Sequence, residues 1–194
     1  FGFMGDRYLV NGQPDFSLSV AARPYRLRLL NGSNARLYAL RLSDEKPLSV
    51  IGTDGGLLDQ PMEKGFVTLA AAQRRDIWLD FSAYSIGDEV TLVDFDPTEP
   101  NNQGKVKPVA VFMVDREESS DLILPQHLSA INPHSREDAV NRDQPKLFEL
   151  SMGMGMKWLI NNQTFDMMGT NSLEEVKLGD LEIWEFSNQT GHRM

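Results

Sequence analysis

Apolar and polar residues alternate in this chain with a period of two, and no stretch carries the three-to-four residue spacing of an amphipathic helix. Tyr25, Leu27 and Leu29 alternate with Arg26 and Arg28, and Ile77, Leu79 and Phe81 alternate with Asp76, Trp78 and Asp80. Successive side chains of a strand point to opposite faces, so each run predicts a strand with one face in a core and the other in water. Leu37 to Leu42 alternates less cleanly, and the unbroken apolar run from Val109 to Val114 predicts a strand covered on both faces. Between the runs stand turn formers: NGS at 31–33, TDGG at 53–56, SIGD at 85–88 and DPTEPNNQGK at 96–105. Glycine supplies positive φ there, and Asn or Asp bonds nearby backbone; Asp54 is expected to bond the backbone of its own turn. Short strands punctuated in this way predict an all-β chain folded as an antiparallel sandwich.

The 194 residues suffice for one whole domain and part of another. A net charge of -9, with basic residues scattered singly, speaks against a nucleic-acid partner or an anionic membrane surface. No cysteine is present, which excludes disulfides, thiolate metal sites and a cysteine nucleophile. No apolar run approaches the roughly 18 residues of a membrane span, and the N-terminus lacks the layout of a signal peptide.

The chain repeats its own opening. YLVNGQ, Tyr8 to Gln13, and WLINNQ, Trp158 to Gln163, match in residue type at six positions, 150 residues apart. Further on, RLRLLNGSNAR and EIWEFSNQTGHR each run a strand into a polar turn led by Asn31 and Asn188. Two copies a domain length apart predict tandem domains of one fold. The expected division is a complete domain over 1–115, a charged and proline-bearing connection over 116–146, and the first part of a second domain over 147–194.

The blocks GFMGDRYLVNGQ, RLRLLNGSNAR, VIGTDGGLLDQP, AAQRRDIWLDFS and FELSMGMGMKWLINNQTFDMM, followed by VKLGDLEIWEFSNQTG, stand in the order of a known family. They resemble the middle domain and the start of the third domain of a three-domain multicopper oxidase of the bacterial laccase, cuprous oxidase and bilirubin oxidase group. The resemblance implies a cupredoxin-like Greek-key β-sandwich with an incomplete second cupredoxin-like unit at the C-terminus. It also implies a fragment whose end at Met194 falls just before a His-Pro-x-His-x-His-Gly copper motif. The intact oxidase would couple one-electron oxidation of phenolic or metal-ion reductants to reduction of O2 to water, and would be periplasmic or secreted. Its partners would be the other cupredoxin domains of the same parent. Some relatives, including a bacterial cell-division protein, share the three-domain architecture without the copper ligands and act by binding partners.

Copper is expected in the parent and not in this segment. The family builds its copper sites from His-x-His pairs and one Cys of other domains, and here three histidines stand singly with no Cys. No catalytic, cofactor-binding or metal residue is therefore assigned. The soft-metal candidates are Met152, Met154 and Met156, which on one continuous strand would point three thioethers the same way; core filling is the plainer reading, as for Met167 and Met168. His127 and His134 are expected as surface histidines, and His192 as a turn or interface residue. Asp94 and Asp96 are expected on the solvated side of a strand end, and Arg26, Arg28, Arg74 and Arg75 in salt bridges on a solvated face. The triplets led by Asn31, Asn162 and Asn188 fit the glycosylation pattern, but local hydrogen bonding is the expected role. An incomplete second domain would leave strand edges open to self-association.

Overall fold

A computed structural model describes residues 2–95 and 106–191. The chain divides into two compact units, Phe1–Ile131 and Asn132–Met194. In the first, β1 (Leu9–Val10) and β2 (Gln13–Pro14) form a small hairpin. There follow β3 (Ser17–Ala21), β4 (Pro24–Leu30), β5 (Tyr38–Leu42), β6 (Leu48–Thr53), β7 (Gly56–Lys64), β8 (Val67–Leu69), β9 (Arg74–Asp80), β10 (Glu89–Asp94) and β11 (Lys107–Arg116). Their spatial orders are β3-β11-β10-β5-β8 in one sheet and β4-β9-β6-β7 in the other. The chain switches sheet between β3 and β4, β4 and β5, β5 and β6, β7 and β8, β8 and β9, and β9 and β10, which is the Greek-key wiring of a cupredoxin-like sandwich.

The core is what the alternation predicts. Leu40, Leu42, Val90, Leu92, Ala110, Phe112 and Val114 from one sheet meet Leu48, Val50, Ile77 and Leu79 from the other, with Phe81 among them. On β4, Tyr25, Leu27 and Leu29 are partly buried while Arg26 and Arg28 are exposed.

Two strands depart from the sequence reading. β11 is buried on one face only: Ala110, Phe112 and Val114 are in the core, whereas Val111 is half-buried and Met113 exposed. In the β10–β11 ladder the pairing passes from Leu92↔Ala110 to Val93↔Pro108, so Val109 of β11 is the extra residue, while β10 stays in regular register with β5. Val90, Leu92 and Asp94 alternate along the core-facing side of β10, and Asp94 is 1% exposed, so Asp94 is not on the solvated side. Asp96 lies outside the described residues.

The outer edge of β7 is partly covered by the segment that follows β11. Leu128 N donates to Asp59 O at 2.8 Å, and Ser129 Oγ to Leu58 O at 2.9 Å. An edge strand bonded in this way is less available as a template for other chains.

The second unit contains β12 (Lys146–Gly153), β13 (Lys157–Ile160) and β14 (Trp184–Asn188) in the order β13-β12-β14. β12 runs antiparallel to β13 and parallel to β14. Phe148 is 6% exposed and packs on Trp184 and Phe186, with ring centroids at 5.0 and 5.3 Å.

The internal repeat has a structural counterpart in both halves. Asn11 and Gly12 (φ 51° and 80°) turn the first hairpin, and Asn161 and Asn162 (φ 50° and 61°) turn the second. Positive φ at both central residues is the type I′ signature that Asn and Gly tolerate. The second shared motif also recurs: Asn31 Oδ1 accepts from Ser33 N and Oγ, and Asn188 Oδ1 accepts from Thr190 N and Oγ1. The glycosylation-like triplets at Asn31 and Asn188 are thus Asn turns closed by a hydroxyl.

Candidate functional site

The first unit holds a groove of about 590 Å³ lined by strands of both sheets. Its floor includes Leu27 and Leu29 of β4, Leu92 of β10 and Phe112 of β11, and Leu9 and Asn11 of the first hairpin form part of its rim. It is apolar because it opens onto the core, and it needs no polar group to be stable when filled by an apolar side chain.

A polar cluster fixes the hairpin beside the groove. Asp94, 1% exposed, accepts from Tyr8 Oη at 2.7 Å and from Ala39 N at 3.1 Å. Buried Arg36 donates to Gly5 O at 2.6 Å and lies 5.0 Å from the Tyr8 ring. Tyr8 meets Tyr38 edge-on at 5.4 Å. Asn31 is buried below, and its amide donates to Arg36 O at 2.7 Å and Leu69 O at 2.9 Å. Burial of this many polar atoms is tolerated because each is bonded. Sequence reasoning missed Tyr8, Arg36 and Asp94 as a group. The available signals were the aromatic at the same repeat position, Tyr8 and Trp158, and the alternation of Val90, Leu92 and Asp94, which puts Asp94 on the inward face.

A second, shallower depression of about 580 Å³ is lined by Tyr84, Ile86, Glu117 and Glu118 with several serines. Tyr84 Oη donates to Asp44 at 2.8 Å, and Lys46 Nζ lies 3.6 Å from its ring centre. Burial, then the hydrogen bond to Asp44, pushes the Tyr84 phenol well above its usual range.

The remaining candidates are dispersed. Met152 is the last methionine on β12; the strand stops at Gly153, and Gly155 and Met156 (φ 76° and 58°) turn the hairpin into β13. The three thioethers therefore do not share one strand, and the turn places Met154 at 96% exposure. Met167 and Met168, at 81% and 92%, are likewise outside any core among the described residues. His127 and His134 are exposed and fall in different units, and His192 lies outside the described residues. Asp54 does not bond its own turn: its Oδ1 accepts from Arg74 N at 2.8 Å, and its carboxylate meets the guanidinium groups of Arg74 and Arg75. Arg26 pairs with Asp76 across β4 and β9. In the second unit Lys146 and then Trp184 hydrogen-bond the Glu182 carboxyl and hold it below its usual value. No group of three or more His, Cys, Asp or Glu converges among the described residues. No helix there is long and apolar enough to cross a membrane.

No protein-family model matches the chain. The cell division protein FtsP of Edwardsiella tarda is 45% identical over 91 residues, 47% of the chain and 19% of FtsP. The laccase of Bacillus subtilis is 34% identical over 196 residues, which takes in 97% of the chain and 37% of the laccase. The solved structure of the laccase-like multicopper oxidase CueO from Ochrobactrum sp. matches 97% of the chain and 43% of its own length, with a TM-score of 0.81 at 28% identity. The chain thus spans less than half the length of these relatives. With the sandwich and the repeated hairpins, the laccase match runs through both units, so the chain is similar to multicopper oxidases along nearly its whole length.

Proposed function

We propose that this chain is a structural part of a multicopper oxidase, corresponding to its middle domain and the start of the next. The observation that carries this reading is the laccase match over 97% of the chain, which runs through both units. The same proposal includes the tandem division into 1–115, 116–146 and 147–194. The whole oxidase would pass single electrons from a phenolic or metal-ion reductant to O2 at copper, and export to the periplasm or cell surface belongs to the same reading. The residues of this chain do not fit copper: its three histidines stand singly and it has no cysteine. Its part is to space and orient neighbouring cupredoxin domains.

The purified chain, incubated with Cu(II) and dialysed, is expected to retain no stoichiometric copper and to leave a phenolic laccase substrate unoxidised. Stoichiometric metal by mass spectrometry, or turnover above the buffer control, would overturn the assignment of a structural role.

A second reading is favoured by the 45% identity to FtsP, which exceeds that to the laccase over a shorter stretch. On it, the parent is a copper-free cupredoxin-like scaffold that binds partners. Reading the gene past the codon for Met194 separates the two. A His-Pro-x-His-x-His-Gly stretch supports the oxidase, and a stop or a continuation without those histidines supports the scaffold.

Self-association is part of the proposal for the isolated chain. β13 and β14 are the outer strands of their sheet, each bonded to β12 on one side. Unpaired edges template further strands. Light scattering over a concentration series is expected to show dimers or larger species, and a monomer at every concentration contradicts it.

A further inference from the structure

The run that leads from β11 into the second unit is fastened at three points. Near β11, Glu118 Oε1 lies 3.0 Å from Arg23 Nε, and Glu118 Oε2 lies 3.7 Å from Arg116 Nε. In the middle, Leu128 N donates to Asp59 O at 2.8 Å, and Ser129 Oγ donates to Leu58 O at 2.9 Å and lies 3.3 Å from Leu57 O. In the second unit, Ser135 caps the short 3-10 turn Arg136–Asp138, and Val140 N then donates to Leu181 O at 2.9 Å. Between these fastenings, and among the described residues, 119–127 make only the local bond from Leu122 N to Ser120 Oγ, and 130–134 make no hydrogen bond.

The middle fastening falls on a break in the β6–β7 ladder. There the pairing passes from Val50↔Met62 to Gly52↔Leu57, so Ile51 of β6 stands opposite the whole of Leu58 to Pro61 in β7. A bulge of this size takes main-chain groups out of the ladder, and such groups need partners from elsewhere. Leu58 packs its side chain against the core. That anchorage holds its carbonyl, and that of Asp59 next to it, at a fixed place on the outer edge of the sheet. The bulge thus presents acceptors for one N–H and one hydroxyl, which Leu128 and Ser129 supply.

We propose that Leu128 and Ser129 form a clip that sets the length of free chain between the two units, with Ser129 as a positioning residue. With the clip closed the free run is 130–134, which reaches about 20 Å when fully extended. Pro133 restricts it further, by fixing its own φ and holding Asn132 extended. Opening the clip frees 119–134, with a reach of about 60 Å. For a flexible chain the effective concentration of one end about the other falls as the −3/2 power of length, a factor of roughly five here. The clip depends only on contacts made within this chain, so the inference holds whether the parent is an oxidase or a scaffold.

The chain has no cysteine, so two spin labels can be placed at will. Exposed Glu89 of the first unit and exposed Lys177 of the second are changed to Cys and labelled. The distance distribution between them is read by pulsed electron resonance in the full chain, diluted with unlabelled chain so that only pairs within one molecule count. Leu128→Pro combined with Ser129→Ala removes both donors and is expected to widen the distribution about 1.7-fold, the square root of the ratio of free lengths. Ser129→Thr keeps the hydroxyl and is expected to leave the width unchanged. The first unit is expected to melt within a few degrees of the parent in every variant, because Leu128 and Ser129 lie outside its core. An unchanged width in the double variant overturns the proposal. A second readout needs no proline: Ser129→Ala alone is expected to speed amide exchange at Leu128 about fivefold, since one of two bonds is lost. An unchanged rate there overturns the clip even if the double variant unfolds, as does exchange at Leu128 of the parent chain as fast as in a free peptide.

Discussion

Asn31→Asp is expected to destabilise the first unit more at neutral pH than Asn31→Ala does, although the first change is closer in shape. The Asn31 amide nitrogen donates to two main-chain carbonyls, Arg36 O and Leu69 O, and its oxygen accepts from Ser33. The alanine variant leaves two buried carbonyls without donors and opens the turn, a loss of about 2–4 kcal/mol. The aspartate variant instead turns a carboxylate oxygen toward those carbonyls in a site closed to water, and an uncompensated buried charge costs on the order of 3–5 kcal/mol. The sign of its pH dependence follows. Burial and facing oxygens raise the folded-state pKa of the introduced carboxyl above its unfolded value, so the extra loss is absent near pH 4 and grows as pH rises. Urea unfolding of both variants at pH 4 and pH 7 measures this; equal midpoints at pH 7 would remove the argument. Asn188→Ala, the same turn at an exposed position, is expected to cost under about 1 kcal/mol.

That contrast marks what sequence could and could not say about this chain. The triplets led by Asn31 and Asn188 read alike, and both fold into the same turn. Only the packing of Arg36 and Leu69 over Asn31 makes one of them a core residue. Alternation placed Leu27, Leu29, Ile77 and Leu79 on inward faces because nothing interrupts the period in β4 or β9. It failed at Asp94 because the inward face of β10 is set by Val90 and Leu92, with Asp94 next in that alternation, and not by Val93 and Phe95. The reverse error occurred at Met152 to Met156, where the interleaved glycines were turn signals, and the strand reading overrode them.

Phe81→Ala is expected to be the most damaging single truncation in the first unit. Phe81 is fully buried although it lies just after β9, on a short 3-10 turn. Two bonds hold that turn in place: Asp80 Oδ1 accepts from Ser82 N at 2.9 Å, and Phe81 N donates to Arg23 O at 3.1 Å. The ring is then directed between the sheets, with its centroid 5.7 Å from Tyr25, 5.4 Å from Phe112 and 6.0 Å from Tyr84. Its three neighbours come from β4, β11 and the loop after β9, so a void there loosens both sheets at once. Truncation of a buried phenylalanine costs about 3–5 kcal/mol, through lost transfer energy and the cavity left behind. For a unit of this size that corresponds to a drop in Tm of roughly 10–20 °C. Phe81→Leu keeps most of the volume and should recover more than half of the loss. Calorimetry of the two variants checks both figures, and an alanine variant that melts within a few degrees of the parent would show that the sheets close over the gap.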